Sequence, residues 1–196
     1  MYEEIRMSGL FGAVSQNACA RTLFYGIDYH SHLGTEFGGM AVLGKKLNRQ
    51  IHNISQHQFK SKFFEDYHHM EGNKGIGAIS DFDEQPIYLD SKFGPFCIVT
   101  SGLIENKIEL KDQLHKQGVS FSEVSSAGVN ATELVAKLIC TGDNLIDGIE
   151  KMFDVIEGSC SMLLLNEEGI YAVRDRKGYT PLVIGQKGDD WVVSSE

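Results

Sequence analysis

The first residue able to do chemistry in this chain is Ser8. It stands directly behind Met7 in the run MSGLFGAV, at the head of a short apolar stretch. Translation from Met7 followed by methionine excision, or cleavage of a short propeptide, would leave Ser8 first in a mature chain. It would then carry a hydroxyl nucleophile beside a free amine. An α-amine titrates at about 7.7–8.0, so near neutral pH part of it can take up the nucleophile's proton. With MYEEIRM attached, the same nitrogen is a peptide amide without basicity, and Ser8 is an ordinary small residue at a strand edge. Both readings stay open at this level.

A second constellation is Tyr29-His30-Ser31-His32, whose HxH spacing puts two imidazoles on one side of an extended chain. No carboxylate or thiol follows at a spacing that completes a metal shell, so hydrogen-bonded structural histidines are favoured and no metal or cofactor is expected. His68-His69 reads as a solvated loop. Gly38-Gly39 allows a close backbone approach but is no phosphate loop, because no lysine and helix start follow in that pattern. Phe59, Phe63 and Phe64 read as core. Cys19, Cys97, Cys140 and Cys160 contain no CxxC pair, and three lie in apolar runs, which favours reduced core thiols in a cytoplasmic protein.

These groups must be held by a scaffold of ordinary composition: 196 residues, 42% hydrophobic and 23% charged. That suits one domain, or one domain and a fragment of the next. A formal net charge of −9 disfavours nucleic-acid or anionic-membrane partners. No apolar run approaches a bilayer span, and Glu3 and Glu4 with no apolar stretch behind them do not read as a signal peptide.

Short continuous apolar runs predict buried strands at Leu10 to Ser15, Gly39 to Gly44, Gly75 to Ser80 and Pro95 to Thr100, with a helix over Ala18 to Asp28. NATELVAKLIC predicts a helix with Leu134, Val135, Leu138 and Ile139 on one stripe. Asn130 and Glu133 form its capping box. DNLIDGIEKMFDVIEG predicts another, with Leu145, Ile146, Ile149, Met152, Phe153 and Ile156 inward, Asp143 capping its start and Gly158 its end. Cys160 to Asn166, Ile170 to Arg174, Leu182 to Gly185 and Trp191 to Ser194 read as four short strands in an antiparallel meander. Helices between groups of strands imply layers in an α+β architecture. The stop at Glu196, just after a strand, suggests truncation before another domain.

The motif order resembles the class II glutamine amidotransferases. Ser8-Gly9-Leu10-Phe11-Gly12 is similar to their CGIFG opening, His32-Leu33-Gly34-Thr35-Glu36 to HRGQE, and Glu84-Gln85-Pro86 to NAQP. Gly102 to Asn106 is similar to the end of HNGNLVN. Arg174-Asp175, Gly178 and Pro181-Leu182 follow RDPxGIRPL, and Val193-Ser194-Ser195-Glu196 echoes VASE. The run extends from Ser8 to the last residue with the spacing of the amidophosphoribosyltransferase branch. The resemblance implies the N-terminal-nucleophile (Ntn) hydrolase fold, a four-layer αββα sandwich over residues 8–196. It also implies a phosphoribosyltransferase domain downstream, in cis. Residues 1–7 are expected to be an extension or propeptide.

The resemblance also locates the site. Ser8 stands at the nucleophile, normally a Cys; a hydroxyl is much harder to deprotonate than a thiol of pKa ~8.5. Ser101 and Gly102 stand at the oxyanion hole, where Ser101 replaces an Asn. Ser80 stands at the Arg that recognises the glutamine carboxylate, and Asp81 and Asp83 add negative charge to the same loop. Either one at about 4 Å from a substrate carboxylate would repel it by about 4 kcal/mol at an effective dielectric near 20. Ala131 stands at the Asp that holds the substrate ammonium. His32 belongs to a segment that the resemblance places near the site, and these histidines could line a pocket for an unknown small ligand other than glutamine. The expectation is a domain degenerate for glutamine hydrolysis, kept for structure or ligand sensing, with room for a homo-oligomer. The alternative is an N-terminal-serine amidohydrolase acting on another amide.

Overall fold

The computed structural model describes residues 8–125 and 128–196. The extension expected over residues 1–7 lies outside the described residues. In chain order the elements are β1 (Gly9–Val14), α1 (Ala20–Tyr29), β2 (Phe37–Leu43), β3 (Leu47–Asn53), α2 (Phe59–His68), β4 (Lys74–Ser80), β5 (Ile87–Ser91) and β6 (Gly94–Ser101). They continue with α3 (Lys107–Lys116), β7 (Val124–Ser125), β8 (Gly128–Val129), α4 (Ala131–Ile139) and α5 (Leu145–Val155). The chain closes with β9 (Ser161–Leu165), β10 (Ile170–Val173), β11 (Val183–Lys187) and β12 (Asp190–Ser194).

Two antiparallel sheets carry the molecule, one ordered β11-β12-β1-β4-β2-β3 and the other β10-β9-β6-β5. Side-chain alternation divides their apolar residues between three cores. Leu10, Ala41, Ile76, Ala78 and Val193 of the six-stranded sheet meet Cys97, Val99, Leu163 and Leu165 of the four-stranded sheet. The opposite face of the larger sheet, with Ala13, Met40, Val42 and Ile79, packs on Leu23, Phe24 and Ile27 of α1 and Phe59 and Phe63 of α2. The opposite face of the smaller sheet, with Phe96, Ile98, Met162 and Leu164, packs on α3, α4 and α5 through Leu110, Leu134, Leu138, Ile149 and Met152. The result is the expected αββα sandwich. It explains why these strands read as unbroken apolar runs: both faces of each are covered. Full burial of one such aliphatic side chain contributes about 1.5–3 kcal/mol.

The structure corrects several details. The last four strands are not one meander. β9 and β10 pair in the smaller sheet, β11 and β12 in the larger, so the chain changes sheets between Val173 and Val183. Asp175 makes that crossing. Its carboxylate accepts from the amides of Lys177 (2.9 Å), Tyr179 (3.2 Å) and Thr180 (3.0 Å) and meets the Ser161 hydroxyl. Burial alone would raise its pKa, but these amides together hold it below the ordinary carboxylate value. The RDPxG-like match is therefore a corner-forming device.

Asn144, not Asp143, caps α5: its side chain accepts from the Asp147 N–H at 3.0 Å. The helix ends at Val155, before Gly158, and Ile146 faces solvent at 54% exposure. The α4 capping box is half formed. Asn130 Oδ1 accepts from the Glu133 N–H at 3.0 Å, but the Glu133 carboxylate turns to the Ser122 and Glu123 amides instead of returning to Asn130. Phe64 is exposed, unlike Phe59 and Phe63. His68 is the last residue of α2 rather than part of a loop.

Cys19, Cys97, Cys140 and Cys160 are free thiols; burial pushes Cys19, Cys97 and Cys160 up to about 12, while Cys140 is half-buried. Among the described residues no helix is long and apolar enough to cross a membrane.

The corrected cap can be measured. Asn144→Ala is expected to lower unfolding free energy by about 1 kcal/mol in urea titrations, and Asp143→Ala by no more than about 0.5 kcal/mol. Equal losses would return the cap to Asp143.

Candidate functional site

The ends of four elements converge at Ser8. The antiparallel register of β1 with β4 pairs Gly9 with Ile79 and carries the end of β4, at Ser80, alongside Ser8. β6 of the facing sheet ends at Ser101, and α4 begins at Ala131. Between them lies a small cavity lined by Ser8, Ser80, Asp83, Thr100, Gly102 and Ala131, with Phe82, Ile104, Ser159 and Cys160 closing it. Its volume is about 30 Å³, room for two or three waters at roughly 10–15 Å³ each.

Ser8, Ser101 and Gly102, the residues expected as nucleophile and oxyanion hole, stand together. The Ser8 N–H donates to Ser101 Oγ at 3.1 Å, which leaves the Ser101 hydroxyl proton free to serve as a donor. Gly102 has φ +144°, and a Cβ there would lie 2.2 Å from the Ser159 carbonyl oxygen, so only glycine fits. Behind Ser8, the buried Gln85 ties the layers together. Its Oε1 accepts from the Thr100 N–H (2.8 Å) and the Thr132 hydroxyl (3.2 Å), while Nε2 donates to the Thr100 carbonyl (3.2 Å) and reaches Ser8 Oγ at 3.5 Å. A second short bond joins the Thr100 and Thr132 hydroxyls at 2.7 Å. Gln85 was visible in the sequence only as one letter of the NAQP-like run. Thr100 and Thr132 fell within motif-like runs, but nothing in the sequence marked them as partners of Gln85.

The residues expected at the substrate anchors are bonded differently. Ser80 is buried, and its hydroxyl oxygen accepts from the Phe82 and Asp83 amides, both at 3.2 Å, closing a local turn. Asp81 turns away from the cavity and accepts from the Thr35 amide (2.7 Å) and hydroxyl (3.1 Å). It is Asp83 that faces Ser8. One of its oxygens accepts from the Ala131 N–H at 3.2 Å at the start of α4. Burial raises the Asp83 carboxyl above its ordinary value of 3.8, against the opposing pull of that amide and of Lys107. Cys160, the other ionisable group of the lining, is held neutral by burial.

The histidines stand elsewhere. His30 is buried against Gly9: its ring carbons lie within 3.1 Å of where a Cβ on that glycine would be. His30 Nδ1 bonds the Gly26 carbonyl at 2.7 Å and Nε2 meets the Ser194 hydroxyl at 3.1 Å, while burial lowers its pKa below 6.5. His32 is exposed and pairs with Glu196 at 2.8 Å. Neither lines the cavity, and among the described residues no cluster of three or more His, Cys, Asp or Glu could hold a metal ion.

A family model for the glutamine amidotransferase domain matches residues 76–196. The chain belongs to that family. It is similar to the amidophosphoribosyltransferase of Methanocaldococcus jannaschii, 30% identical over 202 residues that cover 97% of this chain and 42% of the relative. It is also similar to that of Bacillus subtilis, 28% identical over 205 residues, covering 96% and 40%. Among solved structures, the B. subtilis glutamine phosphoribosylpyrophosphate amidotransferase with ADP and GMP superposes with a TM-score of 0.84 at 26% identity, over 96% of this chain and 42% of that one. The chain thus spans about two fifths of the length of these relatives. It is a glutamine amidotransferase domain of the amidophosphoribosyltransferase-like kind, with the Ntn-type fold the motif order implied.

The partly buried carboxylate of Asp83 at this cavity has a consequence for stability. Because the folded pKa of Asp83 is raised, the native state binds its proton more tightly than the unfolded chain, and stability falls as pH rises from 3.8 through the folded value. Asp83→Asn is therefore expected to be more stable than the parent at pH 7, the difference in urea unfolding free energy closing as pH falls toward 3.8. A constant difference across that range would refute the burial argument.

Proposed function

We propose that this glutamine amidotransferase domain does not hydrolyse glutamine and serves as a structural or ligand-sensing partner of a phosphoribosyltransferase domain. The full protein would be a cytoplasmic one of the amidophosphoribosyltransferase kind. The observation that carries the reading is the cavity beside Ser8. Where a zwitterionic substrate needs a cation for its carboxylate, Ser80 is tied into its own turn and Asp83 presents a carboxyl group. Where the substrate ammonium needs a carboxylate from α4, position 131 is an alanine.

The lining supplies no base in the usual form. In this sequence the Ser8 nitrogen is an amide donating to Ser101, and no imidazole, amine or guanidinium lines the cavity. Meanwhile the groups that hold the layers together at the same place, Gln85, Thr100 and Thr132, are fully bonded. Scaffold contacts are kept where folding requires them, and the chemistry-bearing contacts are not. The size of the relatives supports a phosphoribosyltransferase part elsewhere in such a protein.

One observation favours a second reading. Ser8, Ser101 and Gly102 lie close together, an arrangement compatible with a nucleophile and its oxyanion donors. If Ser8 became the first residue, its amine would restore the missing base, and the negative lining would suit a cationic or uncharged amide rather than glutamine.

Incubation of the full chain with glutamine is expected to release no ammonia, and a diazo-ketone glutamine analogue is expected to leave no adduct. Turnover or labelling at Ser8 would overturn the proposal. Ser8→Cys in a chain started at Met7 is expected to remain inactive on glutamine, because the anchors would still be missing. Intact-mass measurement of the native protein separates the two readings: a chain beginning at Ser8 supports the amidohydrolase, and one retaining Met1 removes it.

A further inference from the structure

At the far end of β1 from Ser8 the molecule has a second concavity, which the reading above does not use. It is a groove of about 1060 Å³ bordered by the residues after β1, the start of α1, the β2–β3 turn and the segment between α2 and β4. Its floor is rigid backbone. The Ser15 N–H donates to the Asn73 carbonyl (2.7 Å) and the Cys19 N–H to the Gly72 carbonyl (2.9 Å). Gly44 and Gly72 pack so closely that a Cβ on either would come within 2.6 Å of the other segment's backbone oxygen. The β2–β3 turn is thereby fixed against the chain entering β4.

The groove wall is cationic. Arg21, Lys45 and Lys46 line it, with His68 and His69 beside them, against a single carboxylate, Glu71. None of the three permanent cations is in an ion pair with a described carboxylate. Arg21 rests on the face of Tyr25, 5.9 Å from the ring centroid. The first turn of α1, which opens here, holds no acidic residue. On a chain with a net charge of −9, a local surplus of unpaired cations around a preformed floor is the reverse of the average surface.

We infer that this groove is a binding site for a small soluble molecule bearing a phosphate or polyphosphate group, with Arg21, Lys45 and Lys46 as its anionic-group ligands. Arg21 offers a planar fork suited to phosphate oxygens, and the lysines offer point charges from the β2–β3 turn. Asn17 and Asn73 also line the groove and carry neutral amide donors. A small ligand is favoured over a nucleic acid or an anionic membrane because the rest of the acidic surface repels extended polyanions. The inference is independent of the state of the Ser8 cavity.

Calorimetric titration of the full chain with tripolyphosphate tests it. The expected result is one saturable site, weakened about tenfold by Arg21→Ala and at least as much by the Lys45→Ala/Lys46→Ala pair, and unchanged by Lys116→Ala on α3. Failure to saturate would overturn the inference. So would equal weakening by Lys116→Ala, which would mean diffuse attraction, or binding to phosphatidylserine vesicles with none to tripolyphosphate.

Discussion

The apolar contact between the two sheets is the constraint on which the rest of this structure depends. Leu10, Ile76, Ala78 and Val193 on one side and Cys97, Val99, Leu163 and Leu165 on the other have no alternative partners once the helices cover the outer faces. Face-to-face packing of this kind tolerates little change of register, because a one-residue slip would turn each of these side chains outward. The register in turn decides which strand ends meet. Ser8 and Ser80 come from the larger sheet and Ser101 from the smaller, so the cavity exists only because the sheets are stacked in this alignment.

The polar contacts around that cavity divide by what they hold. Gln85 bonds Thr100 of β6 and Thr132 of α4 and reaches Ser8, linking the two sheets and a helix through one buried amide. A buried amide left half-bonded would cost about 1–3 kcal/mol, so this network resists change whatever the cavity binds. Ser80 and Asp83 answer to no such demand. The Ser80 bonds are local, to amides two and three residues along, while Asp83 makes one bond to the first turn of α4. A loop held by so few bonds can exchange its side chains with less disturbance to the layers than the Gln85 network can.

The same division explains what could be read from the chain in advance. The runs around Leu10, Ile76, Ile98 and Leu163 announced strands covered on both faces, and the stripe Leu134, Val135, Leu138, Ile139 announced a buried helix face, because burial acts directly on side-chain type. β3, β5, α2 and α3 carried weaker patterns. β3 in particular is an edge strand of mixed composition, LNRQIHN, whose place comes from pairing with β2. The closing strands were legible one by one but not in their allegiance. Nothing local in Arg174-Asp175 says that the chain leaves one sheet for the other there.

Apolar periodicity and ordered motifs act through local side-chain chemistry, so the four-layer fold and the family were readable from the chain alone. Only the tertiary structure decided which of two neighbouring aspartates enters the cavity. Asp81 and Asp83 are two residues apart and chemically identical, yet one is drawn outward by the Thr35 amide and the other inward by the start of α4. Only the fold, too, could separate His30 from His32 and gather Arg21, Lys45 and Lys46 from distant segments into one groove. Such groupings arise from long-range packing, which a linear pattern of residues does not encode locally.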